Sequence, residues 1–266
     1  MPDPANIKLI ICDMDGTLLD SQSRLPEDFF SVFSRLKAQG IRFAAASGRS
    51  VPTLFSLFGQ AAEDMILIAE NGCCVTDGPR PLQISSLSPD QLAQFHEAAG
   101  RLSDIYEVYS GPSHAYIFDS IPDEARSYIH LFFESVVSIH DLAQIPEEIC
   151  ELTIYDAVDA ETWSAPHFSK ALPDYKVMAG AKTWTNICLP DANKGSGVRC
   201  AQEYLGIGPD QTMIFGDYLN DADMMPCAYF SYAMANAHPD LKKICRFETL
   251  SNDQDGVMRV ICQLLA

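Results

Sequence analysis

Two carboxylates one residue apart, Asp13 and Asp15, stand directly after the apolar run Leu9-Ile10-Ile11-Cys12. A short apolar run closed by turn residues reads as a strand buried on both faces of a parallel sheet. Strand periodicity then puts the two carboxyl groups on one side, about 7 Å apart along the chain, and Gly16 lets the backbone bend away immediately afterwards. Like charges so placed repel unless a cation sits between them or one of them holds a proton. Three later stretches carry matching chemistry. Ser47-Gly48-Arg49-Ser50 follows the apolar Ile41 to Ala46, Lys194-Gly195 opens a helical pattern, and Asp217, Asp221 and Asp223 follow the apolar Thr212 to Phe215. Each of these alone is an ordinary polar loop. Together, at the carboxyl ends of strands where open α/β sheets bind ligands, they make an oxygen-rich cluster suited to an octahedral cation such as Mg²⁺.

The elements that must position these groups follow a βαβ rhythm. Pro26-Glu27-Asp28 suits a first helical turn, and Phe29, Phe30, Phe33 and Leu36 form a stripe that Gly40 ends. Strands over 41–46 and 65–69 follow, the latter closed by Glu70-Asn71-Gly72, with a helix over 51–58 between them. Short connections and alternating strands and helices predict an α/β fold with a doubly wound, Rossmann-like parallel sheet. The rhythm breaks after residue 78. From there to about 187, strand-like pieces (105–109, 115–118, 152–155, 176–178, 184–189) alternate with helices expected over 122–136 and 160–171. This predicts an inserted α+β domain over 85–187, with the core formed by 1–84 and 188–266.

Composition narrows the function classes. The chain has 266 residues, 47% hydrophobic, enough for one large core or two moderate ones. Its formal charge of −18 argues against nucleic acid or an anionic membrane as partner. No apolar stretch approaches the roughly 20 residues of a membrane span, and the first residues lack the layout of a signal peptide, so a cytoplasmic protein is expected. The nine cysteines are scattered, without a CxxC pair, and read as reduced, mostly buried thiols. The six histidines show no pairing with a nucleophile and no ligand spacing.

DMDGTLLD (13–20), the Ser47 of ASGRS, Lys194-Gly195 and GDYLNDADMM (216–225) resemble the four motifs of the haloacid dehalogenase superfamily of phosphatases. The Glu70-Asn71-Gly72 turn, the long insert after it, Asn236-Ala237 and the terminal DQDGV (253–257) resemble its Cof-type subfamily. That resemblance implies a mobile α/β cap between the second and third motifs, and a Mg²⁺-dependent phosphomonoesterase acting on a small phosphorylated metabolite, a sugar phosphate above all. It implies Asp13 as nucleophile and Asp15 as general acid, then base. It implies Mg²⁺ on Asp13, the Asp15 backbone carbonyl and Asp217, with Asp221 reaching it through water. Ser47 and Lys194 would hold the phosphoryl oxygens, and Gly48, Asn71 and Asn220 would add contacts at the phosphate or substrate. Arg49 stays open between pairing with a core acid and touching substrate. Cap residues such as Tyr106, Tyr109, His114, Tyr116, Trp163 and Trp184 include candidates for gripping a sugar or ring, although such residues more often pack a core. Two rivals stand beside this reading: a phosphotransferase or mutase of the same fold, and a non-catalytic binding module. A monomer or weak homodimer is expected.

Overall fold

The computed structural model describes residues 3–266, the side chains of residues 180 and 181 excepted. In chain order the first segment holds β1 (Leu9–Asp13), α1 (Phe29–Ala38), β2 (Arg42–Ala46), α2 (Val51–Phe58), β3 (Ile66–Ala69), β4 (Cys74–Asp77) and β5 (Arg80–Ile84). The middle segment holds α3 (Pro89–Ala99), β6 (Ile105–Ser110), β7 (Ala115–Phe118), α4 (Asp123–Ile129), β8 (Val136–Ile139), β9 (Glu151–Asp156), α5 (Ala165–Ala171), β10 (Lys176–Ala181) and β11 (Trp184–Cys188). The last holds α6 (Lys194–Leu205), β12 (Thr212–Gly216), β13 (Phe230–Ala233), α7 (Pro239–Ile244), β14 (Phe247–Glu248) and α8 (Gly256–Leu264).

Two compact units result. The first comprises 1–48, 58–83 and 193–266, and the second comprises 49–57 and 84–192. The second unit thus extends to Ala192 and also takes in the stretch Arg49–Leu57, which the sequence pattern assigns to the core.

An eight-stranded sheet of order β14-β13-β12-β1-β2-β3-β4-β5 forms the first unit. Its six strands from β14 to β3 are parallel, and β4 turns back antiparallel to β3. Every residue of β1, β3 and β12 is buried, which is why these strands read as unbroken apolar runs rather than alternating ones. The Phe stripe of α1 packs as expected: Phe29 stacks on Phe33 at 6.1 Å and meets Phe43 of β2 edge-on at 5.5 Å.

A six-stranded sheet of order β10-β11-β9-β6-β7-β8 forms the second unit, antiparallel except where β8 runs parallel to β7. Its pleat sorts two cores onto opposite faces. Tyr109, Leu152, Ile154 and Ile187 meet Leu92 and Phe95 of α3 and Phe168 of α5 on one face. Val108, Ala115, Ile117 and Trp184 meet Ile129 of α4 on the other.

The expected helix over 122–136 stops at Ile129, and Val136–Ile139, three of its four residues β-branched, pairs with β7 instead. The expected helix over 160–171 opens with a π turn, Ala160–Ser164, and becomes α-helical only from Ala165. The breaker-rich stretch at 78–81 turns at Gly78 (φ +54°) and Pro79 and enters β5 at Arg80, so it joins β4 to β5 rather than ending the sheet. All nine cysteines are free thiols, six of them buried.

Candidate active site

Strand register assembles the site. Cys12 of β1 lies beside Phe215 of β12 on one side, and Asp13 lies beside Ala46 of β2 on the other. The residues that follow each strand, Asp217 on one flank and Ser47 on the other, therefore emerge next to Asp13. Ser47 is buried, its N–H donates to the Ile68 carbonyl at 2.8 Å, and its own carbonyl accepts the Asn71 N–H at 2.9 Å. Asn71, held in the left-handed region at φ +52°, accepts at its Oδ1 from the Asn220 amide at 3.4 Å. Gly48 lies against the same side chain, since a Cβ there would stand 3.3 Å from the Asn71 amide.

The first turn of α6 supplies the cation. Asn193 caps it by accepting the Ser196 N–H at 2.9 Å, and Lys194 is the first residue of the helix. Its ammonium is fully buried and donates to Asp13 Oδ1 at 2.5 Å and Asp221 Oδ1 at 2.7 Å. The other oxygen of Asp221 accepts the backbone N–H groups of Asp217 (2.9 Å) and Tyr218 (3.2 Å). Thr17 donates its hydroxyl to Asp217 Oδ1 at 2.9 Å. Gly16, at φ +81°, is required twice over: the turn needs the left-handed backbone, and a Cβ would collide with the Asp217 carboxylate.

Burial, then the charge of Asp221, pushes the Asp13 carboxyl well above the ordinary carboxylate range, with the Lys194 ammonium opposing. Burial likewise raises Asp217. For Lys194 burial alone would lower the pKa, and the carboxylates of Asp13 and Asp221 overcome it and hold the ammonium above its usual value. One oxygen each from Asp13, Asp217 and Asp221 lie within 4.8 Å of one another. Three hard carboxylate oxygens, those of Asp13 and Asp221 buried and that of Asp217 half-buried, are a donor set that fits Mg²⁺.

Asp223 departs from the expected three-acid cluster: it is exposed and outside this group, and the third carboxylate is Asp13. Asp15 is exposed beside its buried neighbours and bridges to Leu19 across the turn. Thr17 is the site residue that the sequence reading passed over. Its signal was the hydroxyl two residues beyond Asp15, and its partner lies 200 residues away in sequence. Arg49 belongs to the second unit. There, Tyr109 and Tyr116 are buried, donating to Glu107 (2.5 Å) and Glu147 (2.7 Å), and Trp184 is buried among Tyr128, Phe133 and Tyr155. These three aromatic side chains are core.

An open parallel sheet with this cluster at its carboxyl edge defines an α/β enzyme of the kind the motifs resemble. The chain belongs to the haloacid dehalogenase-like hydrolases, whose family model matches residues 10–261. It is 28% identical over 264 residues to the 5-amino-6-(5-phospho-D-ribitylamino)uracil phosphatase YbjI of Escherichia coli (strain K12), a match covering 98% of this chain and 97% of that one. Among solved structures, SMU.1108c from Streptococcus mutans UA159 superposes with a TM-score of 0.84 at 24% identity, covering 97% of this chain and 99% of that one. The subclass IIB sugar phosphatase BT4131 superposes with a TM-score of 0.79 at 17% identity, over 96% and 98% of the two chains. The chain is a phosphatase of the Cof type. Among the described residues no helix is long and apolar enough to cross a membrane.

Proposed function

We propose that the chain hydrolyses the phosphomonoester of a small metabolite, a sugar or polyol phosphate above all, by way of an aspartyl-phosphate on Asp13. The observation that carries this reading is the buried bridge from Asp13 through Lys194 to Asp221, with Asp217 alongside. In the first half-reaction an Asp13 oxygen bonds to phosphorus as the ester P–O bond breaks, and Asp15 gives its proton to the departing alkoxide. In the second, Asp15 takes a proton from water, the water oxygen bonds to phosphorus, and the Asp13–P bond breaks to release inorganic phosphate. Lys194 and Ser47 hold the phosphoryl oxygens, so charge spread over them in a loose transition state meets fixed donors. Gly48, Asn71 and Asn220 line the rim where the rest of the phosphate and the ester oxygen sit. Asp13, Asp217 and the Asp15 carbonyl would hold Mg²⁺ directly, with Asp221 reaching it through water, and the ion would supply positive charge to the phosphoryl oxygens.

Selection of substrate is assigned to the second unit, since the first offers groups suited mainly to phosphate. Support for a polyol ester comes from the relative named for a phospho-ribityl substrate. The test is a screen of phosphomonoesters with and without Mg²⁺ and with no acceptor added. Metal-dependent release of inorganic phosphate, fastest from alkyl esters of polyols, is the expected result. Phosphate appearing only when a second hydroxyl compound is supplied would make it a phosphotransferase, and binding without turnover would make it a binding module.

A further inference from the structure

Two motifs that catalysis leaves unused, Asn236-Ala237 and the segment beginning at Asn252, meet on the turn that carries Asp15. The Asn236 amide donates to the Gly16 carbonyl at 2.7 Å, and its Oδ1 accepts the Asn252 N–H at 3.2 Å. The Asn252 amide in turn donates to the Leu19 carbonyl at 2.9 Å, and Asp253 accepts the Ser21 N–H at 2.8 Å. Gly16 and Leu19 bound the part of the turn that follows Asp15, and Leu19 is the residue that bridges back to it. The Gly16 carbonyl lies in a turn with φ +81°, outside the strand ladder, and a side chain 220 residues away takes it. The segment bearing Asn236 is itself anchored to the opposite side of the site. His238 N–H donates to the Asp217 carbonyl at 2.8 Å, and Lys242 Nζ donates to the Ala235 carbonyl at 2.6 Å.

We propose that Asn236 and Asn252 form a clasp that positions Asp15 for proton transfer, acting as positioning residues rather than catalytic ones. The inference rests on Asp15 being the proton donor. Asp13 needs no such clasp, because it is the last residue of a strand paired on both sides. Asp15 lies beyond the strand and is exposed, so its carboxyl keeps its place only if the turn does. A proton donor must sit within hydrogen-bond reach of the leaving oxygen. Thr17 grips the turn from inside through the Asp217 carboxylate, whereas the two asparagines grip it from outside through main-chain carbonyls. Loss of the outer grip therefore acts on Asp15 and spares the nucleophile, Lys194 and the carboxylate cluster.

The test compares two substrates and two backgrounds. With the best alkyl phosphomonoester from the screen, Asn236→Ala is expected to lower kcat by about 10- to 100-fold with KM nearly unchanged, the scale of a displaced catalytic group. With 4-nitrophenyl phosphate, whose leaving group departs without a proton, the single-turnover rate that reports attack by Asp13 should stay within about threefold of the parent. In an Asp15→Asn background, Asn236→Ala should add almost nothing, because the group it positions is gone. Asn252→Ala should reproduce the pattern, and it serves if Asn236→Ala fails to fold. Equal losses on both substrates, an undiminished loss in the Asp15→Asn background, or parent-like turnover by both variants would overturn the clasp. Parent-like Asp15→Asn would instead overturn the assignment of Asp15, and the clasp with it.

Discussion

Asp13 and Asp15 are one residue apart and differ in almost everything that sets their chemistry. Asp13 is buried at the end of β1 against the Lys194 ammonium, and Asp15 is exposed on the turn. Asp13→Asn keeps the shape and, on the proposed mechanism, removes the nucleophile and a metal ligand. Phosphate release should fall below detection while thermal melting of the metal-free protein changes little or rises, because a like-charge contact with Asp221 and Asp217 is relieved. Activity within tenfold of the parent would show that another group attacks phosphorus. Asp15→Asn should behave differently with different leaving groups. An activated aryl phosphate should give a burst close to one product per enzyme and then a slow steady state, because water loses its base. A sugar phosphate should lose even the burst, with a deficit of about 10²–10⁴, the usual worth of general acid–base assistance. Rapid-quench measurement of both substrates separates this from a pure metal-site defect, which would depress both equally.

Helix α6 is the element that delivers the lysine, and its approach to the sheet is set by glycines. A Cβ on Gly195 would collide with the Asp223 backbone carbonyl, and backbone cannot swing aside as the end of a side chain can. In an isolated helix Gly→Ala gains about 1 kcal/mol. Here Gly195→Ala should instead destabilise by about 1–3 kcal/mol through overpacking, and it should lower kcat at least tenfold by shifting Lys194. Gly206, at the other end of the same helix, gives the contrast. It stands at φ +67° with open space around it, so Gly206→Ala should cost only about 1 kcal/mol of backbone strain and leave kcat unchanged. Urea denaturation and steady-state kinetics on the two variants check both halves, and a Gly195→Ala enzyme as active as Gly206→Ala would mean that α6 can move without moving its lysine.

Across the whole molecule, a charge of −18 meets a largely buried cluster of three carboxylates, so divalent ions should act in two separable ways. Any salt screens the general repulsion. Mg²⁺ should add a specific stabilisation of about 2.7 kcal/mol at a hundred times its dissociation constant, read as a rise in melting temperature beyond that of NaCl at equal ionic strength. Asp217→Asn should abolish the specific part and keep the general one. A chelator should remove activity and leave the apo fold intact, since the apolar strands beneath the site make no use of the ion. Identical melting shifts for parent and Asp217→Asn would remove the carboxylate cluster from consideration as the metal site.

The strands beneath the site were legible because a strand buried in a parallel sheet is mostly apolar: β1, β3 and β12 are buried throughout, and β2 and β13 each have one partly exposed residue. Asp13, Ser47, Lys194 and Asp217 were legible as candidates, because polar groups that end such strands, or open the helices between them, gather at the carboxyl edge of the sheet. Elements whose residues pair only in context were not. Val136 reads as the end of a helix until β7 offers Val136–Ile139 a partner, and Phe247–Glu248 is too short to show any period. Nor does order along the chain say that the third member of the carboxylate group is Asp13 and that Asp223 is left outside it. The pairing of Lys194 with an acid 181 residues earlier, and of Asn236 with a carbonyl 220 residues earlier, arises where strands and loops converge. Residue types are written locally, but hydrogen bonds and charge pairs depend on distances that exist only once the sheet has closed around β1.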